Sequence, residues 1–190
     1  MADADPAAQV LALALSRPAT LGQGRLVCLD GPAGAGKTTL ARRLAGRAAR
    51  HGSTRVVGMD DLYAGWGGLA AVGAQLDSLL VPLASGSAGR YRRWDWHASS
   101  YVEEVVVEPA DLLVLEGVGS FAAAHAALVT ALAWVTAPRE VRTARVLARD
   151  GELVTPYLPA WQRDEDRHHA AQGTRARADL VVESARMRTD

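Results

Sequence analysis

The residues with the plainest chemical meaning lie early in the chain. They are Gly31, Pro32, Ala33, Gly34, Ala35, Gly36, Lys37, Thr38 and Thr39. An apolar run ends just before Gly31, and Gly36, Lys37 and Thr38 follow at the spacing of a G-x-x-x-x-G-K-[ST] phosphate loop. The composition suits that task. A chain that wraps a polyphosphate with its own N–H groups has no room for side chains at Gly31, Gly34 and Gly36, and little at Ala33 and Ala35. A helix starting near Lys37 aims its positive end at the same anion. Lys37 then reaches the β- and γ-phosphates, and the Thr38 hydroxyl can hold Mg²⁺. ATP and Mg²⁺ are the expected ligands.

Two further acidic positions close buried runs. Glu116 ends the apolar segment 112–115, as a Walker B carboxylate does when it supports the metal directly or through water. Asp60 and Asp61 follow the β-branched segment 54–59. A hydroxyl that attacks a phosphoryl group must lose its proton, and a carboxylate within hydrogen-bond reach can take it. A turn or a helix cap is the plainer use of such a pair. Trp94, Asp95, Trp96 and His97 form an aromatic, polar cluster that could stack on a planar acceptor. Arg142, Arg145 and Arg149 share one helical face by 3-plus-4 spacing. For Arg142 and Arg145 a solvated face is the expectation. Arg149, at the helix end, could steady a transferring phosphoryl. Arg163/Arg167 and Glu165/His169 are i,i+4 pairs, which predicts a solvated charged helix, with a lid helix reaching into the site as the alternative.

These groups need elements to hold them. The pattern predicts helices over 5–16, 37–51, 69–83, 122–128, 138–150 and 157–172, and buried strands over 25–30, 54–59, 112–115, 132–136 and 179–182. Residues 84–90 read as a flexible turn and 103–107 as a short edge segment. Short apolar strands alternating with helices give an α/β fold: a three-layer arrangement with a five-stranded parallel sheet. In such a sheet ligands lie beyond the carboxyl ends of the strands, where the phosphate loop, Asp60-Asp61 and Glu116 should converge. Residues 1–22 read as an N-terminal helix and connector, and 23–190 as one domain with a lid near 150–165.

Composition narrows the field. At 190 residues a single domain with a substantial core is expected. Formal net charge is zero and no basic block stands out, so nucleic acid is not indicated as a partner. The one cysteine, Cys28, cannot form an intramolecular disulfide and reads as a small buried residue. The N-terminus lacks a basic segment, and its apolar run 11–15 is too short to span a bilayer, so no membrane partner and a cytoplasmic location are expected. No zinc-type Cys/His cluster, nucleophile elbow or Asn-Lys-x-Asp motif is present.

The islands around these residues resemble the uridine kinase family of P-loop kinases. Met59-Asp60-Asp61-Leu62-Tyr63 is similar to that family's Asp-x-Phe-Tyr segment, and Val114-Leu115-Glu116-Gly117 to its apolar-Glu-Gly segment. Residues 142–150 resemble its Arg-rich helix entering the lid and Trp94-Asp95-Trp96-His97 its Tyr-Asp-Phe acceptor segment, while 178–182 resemble the final Ala-Asp-strand of many small P-loop kinases. The resemblance implies a P-loop fold with strand order 2-3-1-4-5. It also implies phosphoryl transfer from ATP to a small-molecule hydroxyl. By the same match Asp60 is the base, and Asp61, Tyr63, Trp94, Asp95, Trp96 and His97 contact the acceptor. Lys37 and Arg149 join Asp60 in catalysis, and Thr38 and Glu116 hold the metal. Residues 151–162 contain no Lys or Arg, where the family's lid carries arginines. A kinase of another acceptor, of gluconate, shikimate or nucleotide type, and an NTPase without an acceptor remain as alternatives. A homodimer is left open.

Overall fold

The computed structural model describes residues 5–184. The helices are α1 (Pro6–Ser16), α2 (Lys37–Ala48), α3 (Gly73–Ala84), α4 (Arg139–Asp150), α5 (Leu158–Gln172) and the single turn α6 (Thr174–Arg177). The strands are β1 (Arg25–Asp30), β2 (Thr54–Gly58), β3 (Gly89–Asp95), β4 (Ser100–Val107), β5 (Leu112–Glu116), β6 (Ala131–Thr136) and β7 (Leu180–Glu183). Five strands form one parallel sheet in the order β2-β5-β1-β6-β7. Counted within that sheet alone, the order is 2-3-1-4-5. The chain-wide numbers differ because β3 and β4 form a separate antiparallel hairpin inserted between the second and third sheet strands.

Burial on both faces explains the continuous apolar spelling of the central strands. Leu26 and Cys28 of β1, with Leu113 and Leu115 of β5, face a core completed by α3, the hairpin's Tyr91 and Trp161 of α5. Val27, Leu29, Leu112 and Val114 face the opposite core, built on α1 and α2. Helix α1 belongs to that second core. Asp5 caps it by accepting the Ala7 N–H, Pro6 occupies the first turn, and Ala7, Val10, Leu11 and Ala14 form its buried stripe.

Several predicted elements differ. The strands predicted as buried over 54–59 and 179–182 are β2 and β7, the two edges of the sheet, where Val56 and Val181 are exposed. Residues 65–71 are a 3₁₀ segment and α3 starts only at Gly73. Gly65, Gly67 and Gly68 are poor helix formers, and Gly68 lies so close to Tyr63 that an added Cβ would sit 3.0 Å from its backbone. Residues 123–128 are likewise a 3₁₀ segment. The stretch read as a turn and an aromatic patch is strand β3, because Tyr91 points inward while Arg90 and Arg92 point out. Its partner β4 begins at Ser100, not 103, and Gln75 of α3 closes the hairpin's free edge by bonding both the N–H and the C=O of Arg92. Among the described residues no single helix is long and apolar enough to cross a membrane.

Candidate functional site

The loop 31–36 runs between the end of β6 and the start of α4, so its backbone must pass very close to both. At Gly31 (φ +136°) an added Cβ would lie 2.1 Å from the Val135 carbonyl oxygen. At Gly34 (φ +75°) it would lie 2.3 Å from that of Arg142. Only glycine combines these angles with this proximity. Helix α2 follows directly, with Gly36 at its N-cap in the left-handed region. Its first-turn N–H groups have no carbonyl within the helix to bond to.

Lys37 is buried beneath the loop, where Nζ donates to the carbonyls of Gly31 (2.7 Å) and Pro32 (2.9 Å). Burial lowers its pKa. The negative charges of Asp30, Glu165, Glu116 and Asp60 oppose that shift. The ammonium thus sits amid four carboxylates drawn from three strand ends and one helix. Thr38 Oγ1 donates to Glu116 Oε1 at 2.9 Å. Glu116 is in register with Gly58 of β2 and Leu29 of β1, so the parallel pairing itself places it beside the loop. Burial raises the Glu116 pKa, against the pull of Thr38 and Lys37. Asp60 lies two residues beyond β2, exposed in the turn 59–61, and its charge reaches Lys37, Glu116 and Arg149. Lys37 and the two expected acids are therefore near enough to act on one another's charge.

The Thr38 hydroxyl and the Glu116 carboxylate are hard oxygen donors in contact, which suits Mg²⁺. Among the described residues no group of three His, Cys, Asp or Glu side chains could hold a metal alone. A cation here would complete its shell with phosphate oxygens and water, as Mg²⁺ does in nucleotide sites.

The aromatic residues divide. Trp96 is partly exposed, and its Nε1–H donates to the Asp60 carbonyl at 2.9 Å. It meets Trp66 edge-on at 5.2 Å, and Trp66 stacks parallel to Tyr157 at 5.3 Å. Trp94 packs edge-on against Tyr101 across the hairpin. Trp66 and Tyr157 were not anticipated. Their only signal is aromatic character, Trp66 in a glycine-rich loop and Tyr157 within the expected lid. Tyr63 is not at the cleft surface: it is fully buried, its hydroxyl donates to the Val118 carbonyl, and its ring packs on Trp161. Asp95 accepts the N–H groups of His97 and Ala98, both at 2.8 Å, so its carboxylate shapes the hairpin tip. Those bonds, chiefly that of Ala98, hold its pKa down. His97 is exposed at the same tip. Asp61 is half-buried and accepts from the Tyr91 hydroxyl at 3.4 Å. Burial raises the Asp61 pKa, and burial together with Asp61 pushes Tyr91 up to about 12.

The basic helix is not a uniform solvated face. Arg142 Nε donates to the Ala137 carbonyl and its NH1 to that of Ala33. Arg145 NH1 donates to Ser184 Oγ and the Gly34 carbonyl. Two of the three arginines therefore hold the phosphate loop from outside. Arg149 makes a two-point bond to Asp150 (2.6 and 2.7 Å) at the edge of the cleft. The expectation for α5 holds for Arg163 and Arg167, which are exposed, and fails for the other pair. Glu165 (1% exposed) and His169 face inward, with Glu165 accepting the Ala33 N–H at 2.6 Å and His169 paired with Asp30 at 3.1 Å. Asp30 was missed altogether. Wholly buried, it accepts the N–H groups of Gly31, Gly119 and Phe121, so it ties the phosphate loop to the loop after β5. The signal was an acid closing an otherwise apolar strand.

Fold and site together define a P-loop α/β domain with the fold of the uridine kinase-like P-loop kinases. Over 96% of this chain and 100% of the other, the structure resembles a possible uridine kinase from Bacillus stearothermophilus (TM-score 0.64, 19% identity). It also resembles a candidate fructose transport system kinase from Silicibacter sp. TM1040 over 92% and 98% of the two chains (TM-score 0.61, 21% identity). No family model matches the sequence, and no curated protein matches it.

Proposed function

We propose that the chain is an ATP-dependent kinase that transfers the γ-phosphoryl group to a hydroxyl of a small molecule, in the manner of a uridine kinase. The observation that carries this reading is the meeting of Lys37, Thr38, Glu116 and Asp60 at one cleft, with Thr38 and Glu116 2.9 Å apart. The kinase names of the two structural neighbours support it.

In this reading the loop backbone and the first turn of α2 receive the phosphates, and Lys37 turns from its own loop carbonyls to the β- and γ-oxygens. Bound Mg²⁺ would neutralise charge on the phosphates. Thr38 would hold it, and Glu116 would support it directly or through water. Asp60 takes the proton of the attacking hydroxyl. Arg149, released from Asp150, faces the transferring group. Trp66 and Trp96 beside Asp60 offer flat apolar surface to the acceptor, and their bulk excludes water from the reacting centre.

The test is ADP formation with ATP and Mg²⁺ against a panel of nucleosides, sugars and hydroxy acids. A kinase accelerates with one class and yields its phosphate ester. One rate with every candidate and with none identifies an NTPase and removes the acceptor from the scheme.

A further inference from the structure

Residue Ala33 of the phosphate loop is gripped from two sides by helices that bracket the segment 151–157. Its N–H donates to Glu165 Oε2 of α5 at 2.6 Å, and its carbonyl accepts from Arg142 NH1 of α4 at 3.3 Å. The two gripping side chains also face each other, with a guanidinium nitrogen 3.9 Å from a carboxylate oxygen. Both are largely buried: the Arg142 side chain is 13% exposed and that of Glu165 1%. Neither touches the acceptor side of the cleft in any bond described above. From these contacts we infer that Glu165 and Arg142 are positioning residues for the phosphate loop, setting the peptide on either side of Ala33 so that the following amides meet the nucleotide. This rests on the reading of the loop as an ATP site.

The arrangement solves a problem of backbone accounting. A loop that presents some N–H groups to a ligand must satisfy the others from outside, or leave them buried and unpaired. The Gly31 amide is taken by Asp30, the Ala33 amide by Glu165 and the Ala35 amide by the Pro32 carbonyl. Gly34 between them, and Gly36 with the first turn of α2 after them, are left to face a phosphate. Glu165, on α5, supplies the one bond in this set that comes from a side chain distant in sequence. Arg142 adds rigidity, because its Nε is fixed on the Ala137 carbonyl at 3.1 Å while NH1 holds the loop. Without the grip the Ala33 peptide is free to rotate, and the amides after it lose their common direction. The carboxylate itself is held by the Trp161 Nε1–H at 3.1 Å, so the indole reports on the same contact.

The experiment compares Glu165→Gln, Glu165→Leu and Arg142→Met with the wild-type chain. Gln keeps an acceptor oxygen for the Ala33 N–H, whereas Leu does not. Binding of Mg²⁺-ATP is measured by calorimetry well below each variant's melting temperature, with total tryptophan fluorescence, to which Trp161 contributes, followed in parallel. Losing a hydrogen bond to a charged group predicts that Glu165→Leu and Arg142→Met weaken ATP binding by about 10-fold or more. Glu165→Gln should stay within about 3-fold of wild type, since its acceptor survives. In turnover the loss falls on KM for ATP, and KM for the acceptor is unmoved. A purely structural role lowers the melting temperature and leaves the ATP affinity of folded protein unchanged, which overturns the inference. Should Glu165→Leu fail to fold, the Arg142→Met affinity decides alone. A wild-type chain that binds no ATP overturns the ATP reading of the loop, and this inference with it.

Discussion

Asp60 and Glu116 are both acids at strand ends facing one lysine, yet their surroundings give them different work. Asp60 is exposed and its carboxylate is open to an incoming hydroxyl. Asp60→Asn keeps the shape and removes the proton acceptor. ATP binding should persist while phosphoryl transfer falls by at least about 100-fold, the low end for a general base. Transfer at the wild-type rate would falsify the assignment. Glu116 is held in the fold at a desolvation cost. A carboxylate whose folded pKa is raised adds stability only while it is protonated, below the ordinary glutamate range. That stability is lost as pH rises through the raised folded value. Glu116→Gln removes the cost and keeps an oxygen for the Thr38 hydroxyl. It should melt higher than wild type at pH 7, with the gap closing below about pH 4, where the wild-type side chain is protonated folded or unfolded. A variant that melts at or below wild type at pH 7 contradicts this account. The same variant should lose the extra stabilisation that Mg²⁺ gives in the presence of ATP.

At the scale of elements, the loop is a packing problem as much as a binding one. Gly34 lies against the backbone of α4, with the Arg142 carbonyl where a Cβ would be. Gly34→Ala adds both a forbidden contact and a left-handed alanine, so a loss of about 1–3 kcal/mol is expected. The thermal shift on adding Mg²⁺-ATP should disappear with it, and a wild-type shift in that variant would show that the loop tolerates a Cβ. This closeness also explains what could be read in advance. The loop, Glu116 and Asp60 were legible because each ends an apolar run, and parallel pairing carries such ends to one edge. The inward roles of Arg142, Glu165 and His169 were not, because i,i+4 spacing of charges looks the same on a solvated face as on one turned toward a buried loop. The hairpin was hidden for a related reason. Trp94, Asp95, Trp96 and His97 read as an aromatic cluster after a turn, whereas Arg90 and Arg92 before them are the outward residues of a strand, with Arg90 and Arg93 paired to Glu104 and Glu103. Tyr63 sits beside Asp60 in sequence yet points into the core, because the tight turn at 59–61 sends successive side chains in different directions.

For the molecule as a whole, the question is what joins the two ends of the chain to the sheet that carries the site. Arg17, just after α1, donates to both Asp179 oxygens (2.9 and 2.7 Å) and to the Thr130 carbonyl. Asp179, just before β7, also accepts the Leu132 N–H of β6. One carboxylate therefore links the N-terminal connector, a central strand and an edge strand. Burial pushes the Asp179 pKa up, but the bonds from Arg17 and Leu132 more than offset this and hold it down. A lowered carboxylate contributes stability that is present above the ordinary aspartate value and is lost as pH falls through the lowered folded value. The pair is partly solvated (side chains 40% and 24% exposed), so its contribution must be discounted for screening. Asp179→Asn and Arg17→Ala should each destabilise the fold by about 1 kcal/mol at pH 7. The effect of Asp179→Asn should fade below about pH 3, where the wild-type side chain is itself protonated. Because the two residues act through one contact, the double variant should lose clearly less than the sum of the singles in denaturant melts. Strict additivity would mean that the ends are held independently. The connector would then be an appendage to the sheet, and not part of the frame that keeps β1, β6 and β7 in register beneath the phosphate loop.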